Sequence, residues 1–433
     1  MGPPSPTLRR IGTGVAAKFT SDVIGRLLLF ALFVVAARLL TNADLGRYAF
    51  ALAVGLIVLP LADGGLQLTL LRHLTAESPD GGGRPMGAAL AARTVAAVPL
   101  GMLGALAAAA AGDGFASGVA LAAIVVAQVA SGYGELWLQA ARARGRLDLE
   151  AISGLGSRAL LAVSGIAMLV AGGGLAGLAI AYAAASVGGL VIATAVGARF
   201  TSVMRPASWR SVGSALREAA PIGAAGVLSL LMFRVDVLLL EWLRGPETVG
   251  IYSVAFRFFE ASLILPVAVM AAGFPALVRA AADQGRFWRA TRRIGAALLV
   301  TGFGVAAAGW VVGPGVVRVA FGDGFVASGD LLRLLVLGIP VMYLNSLLTQ
   351  ALVAVGRPWL LAGAMGLALV ANVSVDLALI PAQGASGAAI GTVVAELALL
   401  VGCVVGLGIV RRGPVAPAGE DAPGDGARDR DDE

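Results

Sequence analysis

The sequence predicts an all-α polytopic membrane protein: twelve transmembrane helices in two six-helix bundles related by a pseudo-twofold axis along the membrane normal. Three observations predict it: the composition, the number and length of the apolar runs, and an internal repeat. Of the 433 residues, 58% are hydrophobic and 13% charged, and the mean hydropathy is +0.88. Soluble domains carry about 25% charged residues, and a single core stops growing beyond roughly 250–300 residues. Neither a polar surface nor a core accounts for so much apolar chain, so lipid is the solvent.

A helix needs ~20 mostly apolar residues to cross the hydrocarbon. Such runs lie at 17–40, 47–71, 87–111, 118–141, 151–171, 175–198, 218–241, 249–275, 294–313, 331–354, 359–380 and 386–410. A β-barrel would show short alternating segments, and runs such as Ala105–Ala111 do not alternate. The N-terminus lacks a signal-peptide cleavage pattern, so the first run is predicted to be a retained span. With that terminus in the cytoplasm, the inside segments hold Arg9 and Arg10; Arg72 and Arg84; Arg142, Arg144 and Arg146; Arg199, Arg205, Arg210 and Arg217; Arg279, Arg286, Arg289, Arg292 and Arg293; Arg357; and Arg411 and Arg412. Between these span limits, the outside loops hold Arg244 and Arg318 alone. Basic residues bias loops to the cytoplasm, and the alternation places both termini on the cytoplasmic side. The predicted organisation is a cytoplasmic N-terminus (1–16), an N-terminal bundle (17–198), a cytoplasmic linker (199–217), a C-terminal bundle (218–410) and an acidic cytoplasmic tail (411–433). The tail is polar and rich in Pro and Gly, a composition that buries no core and predicts disorder.

The repeat has an offset of 204–211 residues. Gly46-Arg47-Tyr48 answers Gly250-Ile251-Tyr252, and Gly112-Asp113-Gly114-Phe115 answers Gly322-Asp323-Gly324-Phe325. Gln139-Ala140 and Gly145-Arg146 answer Gln350-Ala351 and Gly356-Arg357; Gly174, Gly177 and Ala179-Ile180 answer Gly384, Gly387 and Ala389-Ile390. Six spans separate equivalent points, an even number, so the halves face the same way. Parallel repeats of this kind build transporters whose two bundles rock around a central site.

Several functions are excluded or disfavoured. Lys+Arg is 32 against Asp+Glu 26, but the positives fall where topological anchors belong, so no nucleic-acid partner is expected. One cysteine, Cys403, rules out a disulfide framework or a cysteine metal site. One histidine, His73, follows Arg72 at the end of an apolar run and reads as a membrane-edge residue. No phosphate-cradling Gly-x-x-x-x-Gly-Lys-Ser/Thr loop is present, and the longest outside loop, about 314–330, offers few acids. The chain is read as a non-enzyme without cofactor or metal.

Charges inside spans are costly and mark candidate sites. Asp22 and Arg26 lie four apart in the first span, Arg234 and Asp236 two apart in the seventh, Arg257 and Glu260 three apart in the eighth. Asp63, Arg93, Glu135, Arg158, Asp376 and Glu396 complete the set. Spacing of three or four puts two residues on one helix face, so Asp22–Arg26 and Arg257–Glu260 read equally well as neutralised pairs that hold helices in place. Arg93 and Arg158 lie near cytoplasmic ends and are expected to snorkel; Asp63 and Glu135 read as edge residues. Arg234 sits deep, with its acidic sequence neighbour pointing elsewhere. If the first, seventh and eighth spans line a cavity, Arg26, Arg234 and Arg257 make it cationic. Such a cavity suits a pyrophosphate, because arginine offers a bidentate fork to phosphate oxygens. Unpaired carboxylates would instead suit a cation-coupled exporter, and Asp22, Asp236, Glu260, Asp376 and Glu396 are the candidates for ion coupling or charge pairing. Pro60, Pro99, Pro221, Pro266 and Pro340 are expected to kink or start helices.

The stretch from Pro221 through Phe233-Arg234-Val235-Asp236, then Val249-Gly250-Ile251-Tyr252, Leu265-Pro266 and Phe274-Pro275, resembles the second-half signature of polysaccharide-unit flippases. These belong to the multidrug/oligosaccharidyl-lipid/polysaccharide exporter superfamily. Arg38 through Asp44-Leu45-Gly46-Arg47-Tyr48 and Asp63-Gly64-Gly65 in the first half, and Gly356-Arg357-Pro358, Asn372, Ile380-Pro381 and Gly384 through Ile390 near the end, are similar to the same family. The resemblance covers about 15–410. It implies movement of an undecaprenyl-pyrophosphate-linked oligosaccharide between leaflets, for surface polysaccharide biosynthesis, with membrane lipids and a polysaccharide assembly machinery as partners and H+ or Na+ as the coupling ion. Arg234 lies in a clearly matching motif; Arg26 and Arg257 do not. Lipid II flippases of the superfamily usually have fourteen spans, two more than here, and twelve-span drug or metabolite exporters are the alternative.

Overall fold

The computed structural model describes residues 6–76, 84–201 and 208–412, which are helical almost throughout and contain no strand. Twelve crossings are made by sixteen helices: α1 (Pro6–Leu39); α2 (Asn42–Asp63) with α3 (Leu66–Ala76); α4 (Arg84–Ala110); α5 (Phe115–Ala143); α6 (Leu147–Val170); α7 (Gly174–Gly197); α8 (Trp209–Met232) with α9 (Val235–Arg244); α10 (Pro246–Ser262) with α11 (Ile264–Ala280); α12 (Gln284–Phe321); α13 (Val326–Val336) with α14 (Ile339–Ala354); α15 (Pro358–Gln383); and α16 (Ala385–Arg412). Ten stretches are long and apolar enough to cross a bilayer, α10–α11 counting as one, and the pair α13–α14, bent by 48°, makes an eleventh. The twelfth is α8–α9.

Four predicted spans are broken rather than continuous. Between α2 and α3 the chain turns through Gly64 and Gly65 at φ 52° and 90°, a left-handed backbone that a side chain would strain. At the second and fourth crossings of the other half, the new helix starts just ahead of Pro266 and Pro340. Proline is tolerated in a first turn because its missing N–H would have no partner there. The seventh crossing breaks at Phe233-Arg234. Helix ends also depart from the predicted span and loop limits. From Trp209 the predicted linker is already helical, the first two turns of α8, while 202–207 lie outside the described residues. The predicted 314–330 loop is mostly helical, since α12 runs to Phe321 and α13 resumes at Val326. The acidic tail from Gly413 lies outside the described residues. Exposed Trp209 and Trp359 stand at the end shared by both termini, and exposed Phe115 and Trp242 at the opposite end, the positions of interfacial aromatic belts. Arg38, Arg47 and Arg333 join Arg244 and Arg318 toward that opposite end, so the arginine asymmetry is weaker than the loops alone suggest.

The halves repeat their internal packing. In the first, α6 packs on α1 and α7 on α5 and α6; in the second, α15 packs on α8–α9 and α16 on α14 and α15. The repeat extends to a single contact: the Tyr48 and Tyr182 hydroxyls are 2.9 Å apart, and those of Tyr252 and Thr392 are 3.0 Å apart. Tyr48 and Tyr252 are equivalent positions, as are Tyr182 and Thr392.

The halves meet through the same landmarks. A Cβ on Gly46 would fall 1.7 Å from the Pro246 carbonyl oxygen, and one on Gly250 would fall 2.3 Å from that of Asn42. This reciprocal contact between equivalent glycines closes the end away from the termini. Phe30 stands edge-on to Phe258 and Phe321 at centroid distances of 5.6 and 6.2 Å, with Phe33 beside Phe321. Arg38 Nε donates to the Ala320 carbonyl at 2.6 Å and completes the seam. At the terminal end, α8 crosses to the first half. Gly223 lies against the Gly64 backbone, Val212 and Ala219 pack with Leu66, Leu70 and Met86, and His73 Nε2 meets Glu218 at 3.0 Å. Methyl groups at the glycine contact must push the halves apart, so Gly46→Ala and Gly250→Ala should each destabilise the protein by about 1–3 kcal/mol. Gly304→Ala, which faces open space in α12, should be neutral or stabilising by up to about 1 kcal/mol. Thermal unfolding in detergent distinguishes the two.

Candidate functional site

Between the aromatic seam and the terminal end, α9 and α10 bring two of the three predicted arginines, Arg234 and Arg257, to one place. The break after α8 leaves Arg234 as the residue ahead of α9. From there its Nη2 reaches Glu260 Oε1 at 2.5 Å, while Arg257 Nη1 reaches Glu260 Oε2 at 3.2 Å. Two cations therefore share one carboxylate, and the cluster keeps a net positive charge. Arg257 also lies over the Phe33 ring of the first half, 4.6 Å from its centroid, and Arg234 over Phe256 at 5.8 Å. Although they stand where the halves face each other, Arg257 and Glu260 retain 26% and 34% of their side-chain exposure, so the protein does not close the cluster off. Arg26 is exposed, one turn from Phe30 and two turns from Phe33 on α1. Phe30 and Phe33 reach the second half, whereas Asp22, one turn before Arg26, pairs with Arg158 of α6.

The predicted Arg257–Glu260 pair is present, and Arg234 is its third member. The predicted Asp22–Arg26 pair is not formed. Asp22 turns instead to α6, where Arg158 Nη1 lies 2.8 Å away, and to Lys18 at 3.1 Å. Ser21 donates to the Ala151 carbonyl on the same side, so the terminal-side part of α1 belongs to the α1–α6 contact. Arg158 and Arg93 do not snorkel. Arg93 is fully buried and pairs with Asp63 at 3.0 Å beneath the Gly64 turn, with its guanidinium over Tyr133. Asp63 is thus a partner of a buried cation rather than an edge residue. Glu135 is exposed and His73 half-exposed.

The other acids gather inside the second half. Just past the helix break, Asp236 opens α9, and its Oδ1 accepts the Val237 N–H at 2.8 Å. Its other oxygen takes the Tyr252 hydroxyl, which also meets Thr392. Next to Thr392, Gly391 brings α16 against α15: a Cβ there would sit 2.0 Å from Asp376 Oδ1 and 3.3 Å from Asn372 Nδ2. Asp376 is completely buried, and among the described residues neither carboxylate oxygen has a hydrogen-bond partner; Asn372 Oδ1 has none either. One turn beyond Thr392, buried Glu396 accepts from Asn345 Nδ2 at 2.7 Å. Asp236, Asp376 and Glu396 were legible as intramembrane acids. Tyr252, Asn345 and Thr392 were not read as site residues; Tyr252 stood out only as a landmark of the repeat, and Asn345 and Thr392 only as polar residues within apolar runs. Where the second half has this acid-lined pocket, the first has Leu32 and Phe33 beside the Tyr48–Tyr182 pair.

Two like-facing six-helix halves meet at a seam that carries a positively charged cluster, the arrangement of transporters built from parallel repeats. The comparisons with known proteins agree. A family model described as Polysaccharide biosynthesis protein matches residues 148–281, and one described as MatE matches 221–377. No curated protein sequence matches the chain. Among solved structures, the lipid II flippase MurJ in an inward closed conformation superposes with a TM-score of 0.73 at 12% identity, over 90% of this chain and 87% of that one. An inward-facing multidrug resistance MATE family transporter gives 0.71 at 16%, over 89% and 94%. A transporter from Pyrococcus furiosus, described as having a binding pocket of reverse polarity, gives 0.60 at 17%, over 95% and 99%. The chain thus shares the fold of these flippases and exporters, and each of the two family models matches less than half of it. Removing one member of a buried ion pair leaves an uncompensated charge, which costs about 3–5 kcal/mol. Asp63→Ala should therefore lower the thermal stability of the purified protein more than Glu135→Ala, whose side chain is exposed.

Proposed function

We propose that the chain flips a lipid-linked oligosaccharide, an undecaprenyl-pyrophosphate-linked unit, from the cytoplasmic to the outer leaflet of a bacterial cytoplasmic membrane for surface polysaccharide biosynthesis. Both termini are cytoplasmic in this reading, and the chain carries substrate without chemically altering it. The observation that carries the proposal is the Arg234–Glu260–Arg257 cluster; exposed Arg26 on α1 is the further candidate for the head group. One carboxylate satisfies only part of two guanidinium forks, so N–H groups of both remain for a doubly charged head group. Arginine suits phosphate oxygens because its planar donors match them in pairs. The pyrophosphate enters the cleft while its polyprenyl tail stays in lipid. The terminal-side part of α1 leans on α6 and α8 leans on α3 and α4, which favours entry on the α1 flank. Separation of the aromatic seam and of the Gly46–Gly250 contact, with closure at the terminal end, then exposes the head group to the other side.

The α8–α9 break supplies a coupling path. Arg234 points to the cleft and Asp236, two residues on, into the second half. A cation or proton held by Asp236, Asp376, Asn372 and Thr392 would act on the same short segment that positions Arg234. Oxygen-only donors suit a hard cation or a proton, and an unpartnered buried carboxylate is too costly to stand as a bare charge. Glu396 is a further candidate in the same bundle, whereas Asp22 serves as a charge partner of Arg158. The acid pocket is also the feature that favours the second reading, a cation-coupled multidrug or metabolite exporter.

Reconstituted leaflet translocation separates the two. Arg234→Gln and Arg257→Gln should each reduce flipping of a fluorescent pyrophosphate lipid at least tenfold, a loss of about 1.4 kcal/mol or more. Unchanged flipping in both variants, or drug efflux with no lipid movement, would reject the flippase reading. Asp376→Asn should remove the dependence of transport on a Na+ or H+ gradient while head-group binding persists. A gradient dependence equal to that of the unaltered chain would exclude the pocket as the coupling site.

A further inference from the structure

α12 has 38 residues and a length of ~57 Å at 1.5 Å per residue, well beyond the ~30 Å hydrocarbon core. Its first turns, before the apolar run that starts at Ile294, extend past the membrane at the terminal end. There Phe287 and Thr291 are buried against the bundle. Arg286, Arg289, Arg292 and Arg293 occupy the opposite side and are exposed, as is Arg279 at the end of α11. Spacings of three, four and seven put Arg286, Arg289 and Arg293 on one stripe. Among the described residues, the acid bonded to this stripe is Asp283, which caps α12 and pairs with Arg286 at 2.9 Å. The end of α16 comes to the edge of the same face: Gln284 Nε2 donates to the Arg411 carbonyl at 3.2 Å, and Arg411 lies over the Trp288 ring. Beyond Arg412 the chain carries Glu420, Asp421, Asp425, Asp429, Asp431, Asp432 and Glu433 against Arg428 and Arg430.

We propose that the arginine stripe at the start of α12 is a docking surface for the acidic segment 413–433 of the same chain. Charge and reach both support it. The segment is strongly acidic and starts beside a strongly basic face. Fully extended, n residues span at most ~3.3–3.6 Å × n, so the eight residues from Arg412 to Glu420 reach up to ~26–29 Å. The stripe from Arg286 to Arg293 is only ~10 Å long at 1.5 Å per residue. The acids therefore reach the stripe without any rearrangement of the helices. Docking neutralises a basic collar that would otherwise hold anionic lipid head groups at the membrane surface.

The test is a spin-label distance measurement on the full chain in neutral-lipid nanodiscs. Labels go on Ala282→Cys and Ala427→Cys in a Cys403→Ala background. A narrow distance distribution is expected at low salt. It should broaden about twofold in ~1 M NaCl, where the Debye length falls to about 3 Å. The same broadening is expected in Arg286→Gln/Arg289→Gln/Arg293→Gln and in Asp425→Asn/Asp429→Asn/Asp431→Asn/Asp432→Asn, the latter leaving every helix untouched. A distribution that is equally broad in all four conditions would overturn the proposal. A narrow distribution lost on changing only to anionic lipids would assign the stripe to head groups and overturn it as well.

Discussion

A charge in hydrocarbon must be paired, wetted or used, and this constraint organises the second half of the molecule around one carboxylate. Glu260 neutralises part of Arg234 and part of Arg257 at once. It thereby holds two guanidinium groups, one ahead of α9 and one on α10, together where the halves meet. Phe33 of the first half covers Arg257 from above. The cationic site is thus a property of the seam between the halves, and any motion that separates the seam also changes what surrounds the arginines.

The duplicated architecture makes the differences between the halves informative. Each half places a tyrosine of its second crossing against the same position of its sixth. In the first half that contact is a tyrosine pair beside Phe33, with no carboxylate bonded to it among the described residues. In the second it is surrounded by Asp236, Asp376 and Asn372, and by a glycine that lets α16 approach the Asp376 carboxylate. The scaffold is shared and the acid pocket belongs to one copy. A single feature connects that pocket to the cleft: the seventh crossing is interrupted, and the residues on either side of the interruption face different surroundings. An unbroken helix would place Arg234 and Asp236 about 200° apart on one rigid rod; the break lets each follow its own partner. In membranes such irregular backbone is tolerated where it lines a cavity or is buried in protein, as here.

The composition, the twelve apolar runs and the offset between Gly46-Arg47-Tyr48 and Gly250-Ile251-Tyr252 determined the fold class and the like-facing halves from sequence alone. Lipid leaves so few options that length and hydropathy suffice, and duplication leaves a periodic trace. The Arg257–Glu260 pair was legible for the same reason, since helical spacing fixes which residues share a face. Tertiary structure alone decided the partners across helices. Spacing placed Asp22 beside Arg26, yet Asp22 belongs to Arg158 because α1 rests on α6. Arg93 looked long enough to reach the membrane edge, yet the Gly64 turn brings Asp63 over it. Arg234 was visible as a problem but not as a member of a triad, because its partner lies on another helix. Pairing between helices depends on how the rods are rotated and tilted, which one-dimensional spacing does not record.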